Sequence, residues 1–183
     1  MASFLIAAQT LVAAPATGAA RSLSPGWLRV EGELIAEVGE GDPPGAPDLR
    51  LEGGMLTPGL VDLQVNGFFG HDLADAGTAG WHTVAGRLPE TGVTAFLPTF
   101  ITAPLPALAE ALRRTARLLP HLPPGARVLG VHLEGPFLSE RRCGAHNPAH
   151  LTDPTPQALA PLLETGLVKL VTLAPERPGA LAA

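Results

Sequence analysis

The chain has 183 residues, enough for one mid-sized domain or part of a larger one; its 46% hydrophobic and 16% charged content excludes a disordered protein and allows a sizeable core. A formal net charge of −5, with no basic stripe to neutralise a phosphate backbone, argues against nucleic acid as the main partner but leaves room for a small anionic ligand at a local cluster. Cys143 is the single cysteine, which excludes an intrachain disulfide and a cysteine metal cage and fits a reducing cytoplasm.

Phe4 to Val12 is one apolar run. It has the look of a secretion signal, but no Lys or Arg precedes it and Gln9-Thr10 interrupts it, so it is read as structure. Ala14 to Gly18 is a turn or loop. Trp27 to Gly39 alternates polar with apolar and carries Gly32 near its middle, a hairpin signature. Residues 40–48, rich in Pro, Gly and Asp, form a loop, after which Leu49-Arg50-Leu51-Glu52 alternates once more. Residues 1–55 are expected to be a small β-sheet domain that carries no chemistry.

After Pro58 the rhythm changes. Leu60 to Asn66 is a short strand ending in polar residues, and Thr78 to Thr91 has helical spacing with Trp81, Val84, Ala85 and Leu88 on one face. Val93 to Thr99 is a second strand. Pro106 to Leu119 is an amphipathic helix with Leu108, Ala111, Leu112 and Leu119 opposite three arginines. Val128 to Glu134 is a third strand. Asp153-Pro154-Thr155-Pro156 opens a helix over Gln157 to Thr165, and Val168 to Leu173 is a fourth strand. Strands alternating with helices over residues 56–183 predict an α/β fold with a parallel sheet. A complete eight-unit barrel of such units needs about 250 residues, and four units are visible here. No apolar stretch approaches the roughly 18 residues that span a bilayer, so no membrane partner is expected.

The sharpest chemical feature is His132-Leu133-Glu134-Gly135-Pro136 at the end of the third strand. His132 and Glu134 lie two apart and point to one side of the strand. Glu134 has two readings of equal weight: a carboxylate that binds a divalent metal with His132 orienting it from behind, or a surface carboxylate beside a buried, hydrogen-bonded histidine. Asp62, Gln64 and Asn66 share one face of the first strand by the same period. The amides are poor metal donors beside carboxylate or imidazole, but suit a metal-bound water or a substrate; ordinary capping of a strand end is the alternative. Gly144-Ala145-His146-Asn147-Pro148 lies in the long loop from Gly135 to Pro156. His146 is a candidate to polarise a carbonyl or hold a sugar hydroxyl, against an exposed histidine without a role. Arg141 and Arg142 read as a phosphate contact or, more simply, a solvated basic pair. His71, His82, His121 and His150 show no ligand spacing, and Cys143 has no activating base.

Three segments together resemble the N-acetylglucosamine-6-phosphate deacetylases of the amidohydrolase superfamily: Leu56 to Gly67; Gly92 to Thr99 with Ile101-Thr102; and Gly130 to Leu138, continued by Gly144 to Pro148 and Val171 to Glu176. Pro58-Gly59-Leu60-Val61-Asp62 is shared across that superfamily, whereas His132 to Pro136 followed by Gly144 to Pro148 selects the deacetylases. The resemblance implies part of a TIM-type (β/α) barrel, about its first four units over residues 56–183, preceded by part of a small β-sandwich over residues 1–55. It implies hydrolysis of the acetamide of N-acetylglucosamine 6-phosphate, one divalent metal (zinc or iron) on Glu134, and substrate contacts from Ala145 and His146, with His146 near the acetamide carbonyl. Gln64-x-Asn66 stands where many amidohydrolases carry a second metal's histidines. A cytoplasmic homodimer is also implied.

The resemblance places the family's catalytic Asp and two metal-binding histidines in later strands. One carboxylate and neutral donors do not complete a site of three protein ligands, so these residues alone are expected to fold poorly and to be inactive. The alternatives are another hydrolase of the same superfamily and a non-catalytic piece that pairs with a separate second half.

Overall fold

A computed structural model describes residues 3–15 and 17–182. Ala16, inside the turn expected at residues 14–18, falls outside the described residues. The chain divides into two compact units, one up to Pro58 and one from Gly59.

In the first unit β1 (Ser3–Ala8) sits between the antiparallel β4 (Gly26–Glu31) and the parallel β6 (Leu49–Leu51), and β5 (Leu34–Glu40) closes a hairpin on β4. The order is β5-β4-β1-β6. The apolar run from Phe4 to Val12 is not continuous structure. It bends at Gln9-Thr10, where the Gln9 amide donates to the Leu51 carbonyl and the Thr10 carbonyl accepts from the Leu56 amide. The chain thereby changes partner, and β2 (Leu11–Ala13) pairs antiparallel with β3 (Arg21–Leu23) in a separate ribbon. Leu11, Leu23 and Leu28 are the buried centre, and a bridge from Leu11 to Leu56 ties residues 56–58 into this unit.

The second unit is built on parallel strands taken in chain order. β7 (Leu60–Val65) pairs with β10 (Val93–Ile101), β10 with β11 (Arg127–Val128) and β12 (Val131–Glu134), and β12 with β13 (Val168–Thr172). A short ribbon, β8 (Gly67–Phe68) and β9 (His71–Asp72), follows β7. The crossovers are α1 (Thr78–Arg87), α2 (Leu105–Leu118) and α3 (Pro156–Leu163), the last capped by Thr155 Oγ1 accepting from the Ala158 amide. One face of the sheet packs on the helices: Phe96 and Phe100 of β10 and Val131 and Leu133 of β12 join Trp81, Val84, Leu108, Leu112 and Leu162 in one buried core. Alternation along each strand sends Thr99, His132 and Glu134 to the opposite face, where the polar ends collect. The edge strand β7 leaves Leu60, Val61 and Leu63 more than half exposed. Among the described residues no helix is long and apolar enough to cross a membrane.

The expected third strand, Val128 to Glu134, is interrupted at Gly130. β11 pairs with the start of β10, and β12 with its end and with β13. Gly130 makes the step at φ +150°, and a Cβ there would stand 2.2 Å from the Lys169 side chain and 2.6 Å from the Leu167 carbonyl oxygen. Gly130→Ala is therefore expected to lower stability by about 2 kcal/mol or more, read as a reduced urea midpoint at unchanged slope. An unchanged midpoint would show that the step tolerates a side chain.

Candidate active site

The C-terminal ends of β7, β10 and β12 bring the predicted polar residues to one place. Glu134 ends β12 with its side chain three-quarters buried, and its Oε2 accepts a 2.9 Å hydrogen bond from Gln64 Nε2, across the intervening strand β10. His146, carried by the long loop, sets Nε2 3.7 Å from Glu134 Oε1. The carboxylate thus lies between an amide from the first strand and an imidazole from the loop. Asn66 Nδ2 reaches the Thr99 carbonyl at 3.4 Å, and Asp62 accepts from the Gln64 amide at 3.0 Å, holding the strand end that presents Gln64.

His132 is 3% exposed and engages the neighbouring strands. Its Nδ1 lies 3.1 Å from the Leu63 carbonyl oxygen of β7 and 3.2 Å from Thr99 Oγ1 of β10; its Nε2 lies 2.7 Å from Thr172 Oγ1 of β13. A carbonyl only accepts, so Nδ1 donates and Nε2 accepts a hydrogen bond from the Thr172 hydroxyl. The imidazole sits beneath the site as a cross-strand tie, and its contact with Glu134 is through the shared face and the field of the charge.

The loop that presents His146 is fixed at several points. Phe137 is fully buried and its carbonyl accepts from the Ala174 amide, while the Pro136 carbonyl accepts from Thr152. Arg177 donates from Nε to the Leu138 carbonyl at 2.6 Å and from a terminal nitrogen to Asp153 at 2.7 Å. His146 Nδ1 lies 2.8 Å from Thr102 Oγ1 and 3.3 Å from the Thr102 amide nitrogen. Ala145, Arg141 and Arg142 are exposed, and Cys143 is half-buried. Sequence reasoning did not single out Thr102, Thr172 or Arg177 as site-building residues. Thr102 and Thr172 lie inside the segments quoted for the resemblance, but nothing in their spacing marks a partner 40 or 44 residues away.

Burial pushes the His132 imidazole below the ordinary histidine pKa, opposed but not overcome by the Leu63 carbonyl and the Glu134 charge. The unfolded chain takes up this proton near pH 6.5 while the folded chain resists it, so His132's contribution is complete above about pH 6.5 and is lost as pH falls towards the folded value. Urea denaturation from about pH 7.5 to pH 5 is expected to show stability falling, with a shallower slope in His132→Gln. Parallel slopes for the two proteins would remove His132 as the titrating group.

No protein-family model matches the chain. It is 39% identical over 167 residues to N-acetylglucosamine-6-phosphate deacetylase of Danio rerio, a match covering 86% of this chain and 41% of that protein. It is 33% identical over 165 residues to N-acetylgalactosamine-6-phosphate deacetylase of Escherichia coli O157:H7, covering 86% of this chain and 43% of the relative. The crystal structure of N-acetyl-D-glucosamine-6-phosphate deacetylase from Mycobacterium smegmatis superposes with a TM-score of 0.81 at 34% identity, over 98% of this chain and 49% of that one. The chain is therefore a partial-length relative of the N-acetylglucosamine-6-phosphate deacetylases, matched along most of its own length and spanning about two fifths to one half of theirs.

Proposed function

We propose that this chain supplies part of the active site for hydrolysis of the acetamide of N-acetylglucosamine 6-phosphate, giving glucosamine 6-phosphate and acetate. The observation that carries the reading is the convergence of Glu134, Gln64 and His146 at the strand ends, in a chain related to deacetylases of that sugar phosphate. Parallel strands that follow chain order without reversal are what a (β/α) barrel builds, which supports reading residues 56–183 as part of one. The four-stranded sheet and the separate two-stranded ribbon of the first unit support reading residues 1–55 as part of a β-sandwich. The cytoplasmic setting and the homodimer rest on the resemblance.

Water adds to the amide carbon, charge gathers on the carbonyl oxygen, and the amine leaves. His146 Nε2, beside Glu134, is placed to donate a hydrogen bond to that oxygen. Ala145, exposed next to it, offers backbone to the sugar, and Gln64 and Asn66 hold the carboxylate and the strand ends around the site. His132 fixes the register on which this depends.

A single divalent metal, zinc or iron, is part of the proposal, with Glu134 as its anionic ligand. The residues here do not fit a whole metal site. Glu134 is one carboxylate, Gln64 faces it with its NH2 group, and no group of three His, Cys, Asp or Glu able to hold an ion occurs among the described residues. The resemblance assigns the remaining ligands and the proton-transferring carboxylate to later strands of the family's barrel.

In the protein that carries this chain, His146→Ala is expected to lower turnover about a hundredfold with metal content kept, since one oxyanion donor is lost. Glu134→Gln keeps the side-chain shape but removes the charge, and is expected to lose the metal on dialysis. Acetate release from N-acetylglucosamine 6-phosphate, compared with the N-acetylgalactosamine epimer, decides the substrate. Unchanged turnover in His146→Ala, together with unchanged metal in Glu134→Gln, would overturn the reading.

A further inference from the structure

A neutral imidazole has one N–H, so His146 can donate to a reacting oxygen only if the proton sits on the nitrogen that faces the site. Two groups of one residue decide this. The Thr102 amide nitrogen is 3.3 Å from His146 Nδ1, and the Thr102 hydroxyl oxygen is 2.8 Å from it. A backbone amide can only donate. Nδ1 must therefore present its lone pair, the ring proton must be on Nε2, and the hydroxyl, aimed at the same lone pair, donates as well. Thr102 is 6% exposed, which keeps water from competing for Nδ1. Its hydroxyl occupies space left by a neighbouring glycine: a Cβ on Gly135 would stand 2.2 Å from Thr102 Oγ1, and Gly135 has φ +89°, in the region that favours glycine.

We infer that Thr102 is a positioning residue that holds His146 in the Nε2–H tautomer. Nε2 then faces Glu134 as a hydrogen-bond donor. It has no lone pair with which to accept a proton or bind a metal, so His146 is assigned to polarisation and excluded as general base through that atom. The use of the tautomer rests on the hydrolase reading; the tautomer itself does not.

Nitrogen-15 NMR of the imidazole rings, recorded above the ordinary histidine pKa of about 6.5, tests this on the protein that carries the chain. The His146 signals are assigned by their loss in His146→Gln. The wild type is expected to show Nε2 as the protonated nitrogen and Nδ1 as the unprotonated one. Thr102→Val keeps the shape and the backbone amide donor but removes the hydroxyl, so the ring should stay protonated at Nε2 while the Nδ1 resonance shifts as one of its two hydrogen bonds is lost; Thr102→Ser should restore it. A wild-type ring protonated at Nδ1, or a Thr102→Val ring whose Nδ1 resonance does not move, would overturn the inference. The wild-type spectrum judges the tautomer even if Thr102→Val fails to fold. Acetate release by His146→Ala separates the two readings: unchanged release removes the hydrolytic role of His146, while the spectra still decide what Thr102 does.

Discussion

The hydrogen bonds of His132 join four parallel strands through one side chain, and the alignment of the strand ends that carry Gln64 and Glu134 rests on them. The residue belongs to β12, is in register with Thr99 of β10, and reaches the Leu63 carbonyl of β7 on one side and Thr172 of β13 on the other. Burying an imidazole is costly when its nitrogens lack partners, and both nitrogens of His132 have them. Its partners come from three separate strands, so the network closes in one register alone. That register puts Glu134 one pleat further on, facing the Gln64 side chain across β10. Phe96, Phe100, Val131 and Leu133 hold the other face of the same strands against the helices. Apolar packing fixes where the sheet lies, and the histidine fixes how its strands are aligned.

Much of this was legible in the sequence because it follows from short periods. The alternation of β and α segments gave a parallel α/β unit, and spacing of two put His132 with Glu134, and Gln64 with Asn66, on common strand faces. The helical faces of Trp81, Val84, Ala85 and Leu88, and of Leu108, Ala111 and Leu112, are the buried ones. Local rules failed where two apolar runs were broken by tertiary pairing. Gln9-Thr10 bends because its backbone is bonded to residues 51 and 56, and Gly130 steps because β11 and β12 answer to different partners. Neither partner is visible from a window of ten residues.

The candidate site divides the same way. Glu134 and His146 carry chemistry in their side chains and sit in recognisable motifs, so they stand out. Thr102 and Arg177 are common residues whose importance comes only from what they touch. Arg177, 13% exposed, replaces hydration of its guanidinium with the Leu138 carbonyl and the Asp153 carboxylate, a desolvated arrangement that geometry alone discloses. Gly135 belongs to the first group by motif and to the second by reason, since its missing side chain is where the Thr102 hydroxyl fits.

The anchoring of the long loop has a consequence for how such a chain can diversify. Arg177 pins Leu138 and Asp153, and Thr102 pins His146 between them, so the loop is two short arcs hung from three fixed points. The entropy of ordering His146 depends on the length of each arc, and grows only with the logarithm of that length. Residues 139–143 and 149–151 can therefore lengthen or drift in sequence, altering what surrounds the site, while the imidazole stays where it is. Lineages that explore new sugar epimers would be expected to vary there first, leaving the strand ends untouched.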